Sequence, residues 1–296
     1  MHAPATEGRP HGGRRPFASG PSVALVATLV VAGCTGAVAA TPPPSPSAGA
    51  AWALSEVIDG DTIRVANGGL EEVVRLVGIN TPEHDECWSD EATAALAEVL
   101  GTGPVRMERD VSDRDQFGRL LRYVTTLEEE DAGGLLIDGG HAIARAYPPD
   151  TARDAEYRER QLRAQEAGLG LWARDACGDA LASFDPTTIG IEVHPDAAGD
   201  DSLNLNDEWV RITIQGARPL DLEGWGLRDE SSSHRYRFGP LVLPPGGSVT
   251  VRSGCGTDTD LDRYWCVSGS AIWNNGGDTA FLLDPVGNVV AQLGYP

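Results

Sequence analysis

The 296-residue chain contains no lysine. All 23 of its basic residues are arginine, set against 44 acidic ones, for a formal net charge of -21. Nonspecific affinity for nucleic acid comes mostly from cations that neutralise phosphates, so this balance counts against a tight nonspecific nucleic-acid binder. Residues 51–178 hold 13 arginines and 26 acids, and residues 179–296 hold seven and 17, so both foldable parts are acidic. Chemistry on a polyanion is not thereby excluded, because a local arginine cluster can hold one phosphate while distant charge is screened over about 10 Å at 0.1 M salt. The chain also lacks an apolar run of the ~20 residues that a membrane-spanning helix needs. It lacks paired CxxC or HxxxH spacings as well, so a zinc site has no support. The length suffices for two domains with cores of their own.

Residues 1–33 read as an export signal, since Arg14 and Arg15 precede an apolar run from Val23 to Gly33 of signal-peptide length. Arg14-Arg15-Pro16-Phe17 is similar to a twin-arginine signal, and a generic basic leader is the alternative. Val31-Ala32-Gly33-Cys34 resembles a lipobox, which implies acylation of Cys34 and anchorage to membrane lipid on the outer face of the cell. Cleavage after Ala39 would instead discard the cysteine. Residues 34–51 form a Pro/Ser-rich tether (TPPPSPSAG), extended and unable to fold alone.

The chemistry concentrates between Val57 and Glu83 (VIDGDTIRVANGGLEEVVRLVGINTPE). Two alternating segments, Thr62 to Val65 and Glu72 to Val77, flank Asn67-Gly68, a strong hairpin signal. The hairpin brings Asp61 near Arg75 at a strand end. Asn80, Thr81 and Glu83 follow in a turn around Pro82. Hard oxygen donors of this kind suit Ca²⁺ or Mg²⁺, and an arginine fork beside them suits phosphate.

IDGDT, then RLVGINTPE, then DQFGRLLRY at Asp115 to Tyr123 together resemble the thermonuclease, or staphylococcal-nuclease-like, family over residues 52–178. The resemblance implies an α+β fold, a five-stranded OB-type barrel with packed helices, and Ca²⁺-dependent hydrolysis of DNA and RNA to 3′-phosphate ends. By motif position it makes Asp61, Asn80 and the Thr81 carbonyl metal ligands, Glu83 the general base, and Arg75 and Arg119 the pair that holds the scissile phosphate. These residue types suit the task without the family name, because fixed cations aimed at the charge that develops on phosphate oxygens lower the barrier.

The chain departs from the family at three places. Asn80 stands where aspartate is usual, which removes one negative charge from the metal site and implies weaker binding. Asp59, Asp85 and Glu86 lie close enough in sequence to compensate. Gln116 and Phe117 replace a lysine and a tyrosine, and Phe117 retains a face on which a base can stack. Tyr147 lies near the position of a second substrate-contacting tyrosine, the alternative being a tyrosine packed at a helix end.

Helices are predicted from Ser89 to about Leu100, capped by Ser89, and from Arg153 to Ala167, ending at Gly168. Family position implies another over Leu135 to Ala146, although Gly139 and Gly140 each cost about 1 kcal/mol relative to alanine in a helix interior. Val105 to Glu108 and Arg119 to Thr125 are the remaining barrel strands. Four cysteines follow Cys34, and an even set in an exported chain reads as disulfides. Family position pairs Cys87 with Cys177, leaving Cys255 to pair with Cys266.

From Ile189 the pattern changes to short alternating strands with turns, an all-β sandwich signature. NLNDEWVRI, LDLEGWGLRD, LPPGGSVTVRSG and WNNGGDTAFLLD together resemble the lamin-tail domain. That resemblance implies an immunoglobulin-like sandwich over residues 186–296 with a binding or targeting role toward the cell envelope. The combined expectation is an exported, monomeric, Ca²⁺-dependent, sugar-nonspecific nuclease. The alternative is a catalytically weak or inactive nucleic-acid or surface-binding module.

Overall fold

The computed structural model describes residues 49–179, 185–200, 203–231, 233–267 and 271–295. The leader, Cys34 and all but the end of the tether lie outside the described residues.

The first half is built from β1 (Trp52–Asp59), β2 (Thr62–Asn67), β3 (Leu70–Leu76), β4 (Ile79–Asn80), α1 (Ser89–Leu100), β5 (Pro104–Glu108), β6 (Leu120–Thr125), α2 (Ala132–Asp138), β7 (Ile143–Ala144) and α3 (Asp154–Ala167). Five strands close into a barrel in the order β1-β2-β3-β6-β5. All pairings are antiparallel except β3 with β6. Ile63, Val65, Val74 and Leu76 point inward and are buried, as period-two alternation requires. The same parity turns Arg75 to the other face. The β2–β3 turn falls one residue later than the Asn-Gly signal suggests: Asn67 pairs with Leu70, and Gly68 and Gly69, at φ 58° and 87°, make the turn. Positive φ at both central positions is open to Gly-Gly as it is to Asn-Gly.

Helix α1 starts at Ser89 as an ordinary helical residue, with Trp88 in the cap position and no side-chain cap. Ala92, Leu96 and Leu100, four residues apart, form its buried face. The helix expected over Leu135 to Ala146 is corrected. It begins at Ala132 and stops at Asp138, and Ile143–Ala144 instead pairs with Ile79–Asn80 as a two-stranded bridge. The cause is tertiary: Gly140 lies so close to the chain after α3 that a Cβ would fall 2.1 Å from the Leu169 carbonyl oxygen.

The second half comprises β8 (Ile189–His194), β9 (Trp209–Ile214), β10 (Leu220–Asp221), β11 (Gly226–Arg228), β12 (Arg235–Arg237), β13 (Val242–Leu243), β14 (Ser248–Arg252), β15 (Asp262–Tyr264), β16 (Asp278–Leu283) and β17 (Val289–Tyr295). Sheets β15-β14-β9-β8 and β12-β11-β16-β17 form an immunoglobulin-like sandwich, with β10-β13 as a small ladder. Its core includes Ile212, Trp225, Leu227, Val251, Trp273 and Leu282. Phe281 alternates to the outer face of its sheet and packs with Ile143, Ala164, Leu171 and Trp172, so the sandwich and the barrel half share a buried seam. Both disulfides are formed, Cys87–Cys177 and Cys255–Cys266.

Candidate active site

The turn between β1 and β2 sets the first acid. Asp59 Oδ1 accepts the Asp61 N–H at 3.0 Å. Gly60 between them has no room for a side chain: a Cβ there would fall 2.8 Å from both Ala92 Cβ and Thr81 Oγ1. Asp61 is buried. Its Oδ1 accepts the Thr62 hydroxyl at 3.1 Å, and its Oδ2 accepts the Thr81 N–H at 3.1 Å and hydroxyl at 3.2 Å. Oδ2 also lies 2.8 Å from Arg75 Nη2. Burial pushes the Asp61 carboxyl up to about 6; Arg75 pulls it down and Asp59 pushes it further up.

The β2–β3 register places Arg75 opposite Thr62, which is why it reaches Asp61. Its Nη1 donates to the Leu76 and Ile79 carbonyls, and its Nη2 donates to Asn80 Oδ1 at 3.0 Å. Asn80 is buried, and its Nδ2 donates at 3.2 Å to the carbonyl of Glu230 in the sandwich. Both ends of the Asn80 amide are thus engaged, and Asn80 does not line the cavity beside Asp61. That departs from the metal-ligand role given to it above. Glu86 is also committed, to Arg235 of the sandwich at 2.6 Å.

Arg119 is oriented from the other side. Asp115 Oδ2 accepts its Nε at 2.7 Å, and Asp115 Oδ1 accepts the backbone N–H groups of Phe117 and Arg119, each at 2.9 Å. The Arg119 guanidinium carbon lies 5.5 Å from the Phe117 ring centroid, and Phe117 itself is 74% exposed. Tyr147 is part of a loop rather than a helix end, with the Arg145 guanidinium 4.9 Å from its ring centroid. Asp61, Arg75, Thr81, Glu83, Gln116, Phe117, Arg119 and Tyr147 all line one cavity of about 760 Å³.

Sequence reasoning missed Asp115 and Glu230. Asp115 carried a signal, because an aspartate that bonds the backbone two and four residues on is a turn-forming pattern. Glu230 acts from 150 residues away and carried none.

The acids Asp59, Asp61 and Glu83 share the cavity, and a buried carboxylate raised by a second one is a setting that a hard cation relieves. Asp59 and Asp61 are hard oxygen donors of the type such an ion takes. Among the described residues, however, no group of three or more His, Cys, Asp and Glu side chains is gathered as a metal cluster.

A small closed barrel whose wall presents a buried aspartate–arginine pair, with a second oriented arginine lining the same cavity, defines an OB-fold protein with a cationic and acidic cleft. Residues 73–174 match the family model described as Staphylococcal nuclease homologue, and residues 188–296 match that described as Lamin Tail Domain. The chain is 33% identical over 132 residues to the thermonuclease of Staphylococcus intermedius, covering 43% of this chain and 78% of that protein. It is 31% identical over 128 residues to endonuclease YncB and 30% identical over 129 residues to the SPbeta prophage-derived endonuclease YokF, both of Bacillus subtilis (strain 168). These alignments cover 41% of this chain in each case, and 61% and 44% of the two relatives, less than two thirds of either. The chain belongs to the staphylococcal nuclease homologue family and carries a lamin tail domain behind its nuclease-type barrel.

Proposed function

We propose that the protein is a nuclease that hydrolyses phosphodiester bonds of DNA and RNA to 3′-phosphate products, with Ca²⁺ as cofactor. The observation that carries this reading is the convergence of Asp61, Arg75, Glu83 and Arg119 on one cavity. Arg119 is held in place by Asp115 before substrate arrives, so it stabilises charge on the phosphate oxygens without reorganising. Arg75 is the more deeply held cation and sets the orientation of Asp61. Glu83 at the mouth orients or deprotonates the attacking water. Phe117, with Gln116 and Tyr147, offers a wall on which a base stacks, and nothing in this set selects for a 2′-hydroxyl. When bound, Ca²⁺ supplies a fixed divalent charge opposite the phosphate; Asp61, Asp59 and the Thr81 carbonyl would hold it.

Digestion of DNA and RNA by the purified full chain with Ca²⁺, repeated after chelation, tests the reading. Hydrolysis of both polymers that stops on chelation is expected. Activity that survives chelation would sink the metal assignment. The second reading, a nucleic-acid-binding module with weak or no catalysis, draws on the engaged amide of Asn80, and binding without hydrolysis in the same assay would favour it. We further propose, on the pattern of residues 14–34 alone, an exported monomer anchored to membrane lipid through Cys34, with the sandwich facing an envelope ligand. No helix among the described residues is long and apolar enough to cross a membrane.

A further inference from the structure

The sandwich raises three arginines on the outer face of one sheet. In the β11–β12 pair, Arg228 lies directly across from Arg235 and Gly226 across from Arg237. Residues of one parity share a face, so the three side chains rise on the side away from Leu227 and Tyr236, which pack on the sandwich core. Like charges directly opposite in a sheet are destabilising. The barrel half supplies one counter-charge, Glu86, whose two oxygens take Arg235 at 2.6 and 3.2 Å.

Arg228 feels Glu86, Asp229 and Glu230 only at a distance, and no carboxylate among the described residues is in ion-pair contact with it. It is only 6% exposed, and its guanidinium carbon lies 5.0 Å from the Phe281 ring centroid. Its backbone is paired in the sheet on both sides, and its side chain makes no hydrogen bond or ion pair with any described residue. Arg237 is exposed and has no carboxylate partner among the described residues. All three arginines line a cavity of about 320 Å³ that the Pro82 to Trp88 turn closes from the other side.

The other acids on its wall do not neutralise them. Asp284 is committed to its own turn, its carboxylate accepting the N–H groups of Val286, Gly287 and Asn288 and the Asn288 amide. The Asp85 side chain is 90% exposed beside His84. A cation this deeply buried without an acceptor is costly, and burial, with Arg235 opposite, draws Arg228 down to about 10.

We propose that this cavity is an anion site in which Arg228 and Arg237 grip a phosphate group, with the Arg235–Glu86 pair as its wall. Guanidinium forks reach it from two strands, and a tetrahedral anion offers acceptors to both at once, whereas one fork satisfies a planar carboxylate. Pro82 lines both this cavity and the catalytic one. The phosphate therefore has two sources, a phosphodiester of a strand that crosses the catalytic cavity or free phosphate. The strand source rests on the nuclease reading; the site itself does not.

Calorimetric titration of the full chain with inorganic phosphate tests the site in wild type, Arg119→Gln, Arg228→Gln and Arg237→Gln. Saturable binding is expected in wild type, retained in Arg119→Gln and weakened at least about tenfold in the two sandwich variants, the factor that a lost charge-assisted contact gives. No saturable binding, binding lost only in Arg119→Gln, or binding unchanged in both sandwich variants overturns the proposal. Thermal unfolding accompanies Arg228→Gln, and if that variant unfolds, the exposed Arg237→Gln carries the test alone. Turnover of single-stranded DNA oligonucleotides of increasing length by Arg237→Gln then assigns the source. A higher KM confined to longer oligonucleotides, with kcat unchanged, marks the strand; an unchanged KM at every length, with phosphate binding lost, marks free phosphate. A wild-type chain that cleaves nothing removes the nuclease reading and leaves the phosphate titration standing.

Discussion

At position 80 one amide serves two masters. Its oxygen accepts Arg75, and its nitrogen donates across the seam to the Glu230 carbonyl. An aspartate there would keep the first bond, lose the second, and set a carboxylate oxygen against a carbonyl at a site only 2% exposed. Leaving a buried acceptor without its donor costs about 1–3 kcal/mol. Asn80→Asp is therefore expected to lower Tm and to leave the Ca²⁺ concentration for half-maximal activity unchanged or raised. Thermal unfolding and calcium titration check this together, and a lower calcium midpoint at unchanged Tm would return Asn80 to the ligand set. Charge counting along the sequence points the other way, toward tighter calcium in the aspartate variant, because Glu230 cannot be seen from position 80. Asp61 and Arg75 were legible from local hairpin register, and Arg119 from the family resemblance of the motif that carries it.

Among the elements, the 81–88 turn decides how rigid the site is. It carries Thr81 and Glu83 at one end, and at the other is joined by Cys87 to Cys177, beyond α3, across a sequence separation of 90. The same end meets the sandwich, where Asn288 Oδ1 accepts the Cys177 N–H at 2.7 Å. By the chain-entropy account a bridge closing a loop of this length contributes roughly 4–5 kcal/mol. Reduction is expected to lower the denaturant midpoint accordingly, and an unchanged midpoint in reductant would contradict the role given to the bridge. The barrel strands, α1, α3 and the sandwich strands were legible from periodicity, and the end of α3 from Gly168, whereas the Ser89 cap expected for α1 is not formed. The short α2 and the β4–β7 bridge were not, since the close approach of Gly140 to Leu169 is a long-range packing event with no local pattern.

At the scale of the molecule, the sandwich is packed onto the barrel half through buried charge. Arg145 meets Glu230 at 3.2 Å and Asp278 at 3.3 Å, and Arg158 meets Glu230 at 3.2 Å. Burial pushes the Asp278 carboxyl from 3.8 up to about 6, against the pull of Arg145 and with Glu230 and Asp229 adding to the rise. A folded pKa above the unfolded one means that the folded state binds the proton more tightly. The stability linked to Asp278 is then fully present below 3.8 and lost as pH rises through about 6. His234, raised by its bond to Asp229, adds the same sign at higher pH. Asp278→Asn is expected to flatten the stability profile between those values in urea unfolding at fixed pH, and an unchanged slope would contradict the assignment. The catalytic claim is tested most directly at Arg119, whose side chain is 32% exposed, because truncating Arg75 would also strand Asp61 as a buried charge. Turnover of a single-stranded DNA oligonucleotide by the full chain with Ca²⁺ is expected to fall at least about 10²-fold in Arg119→Ala at unchanged Tm, and wild-type turnover in that variant would contradict the account.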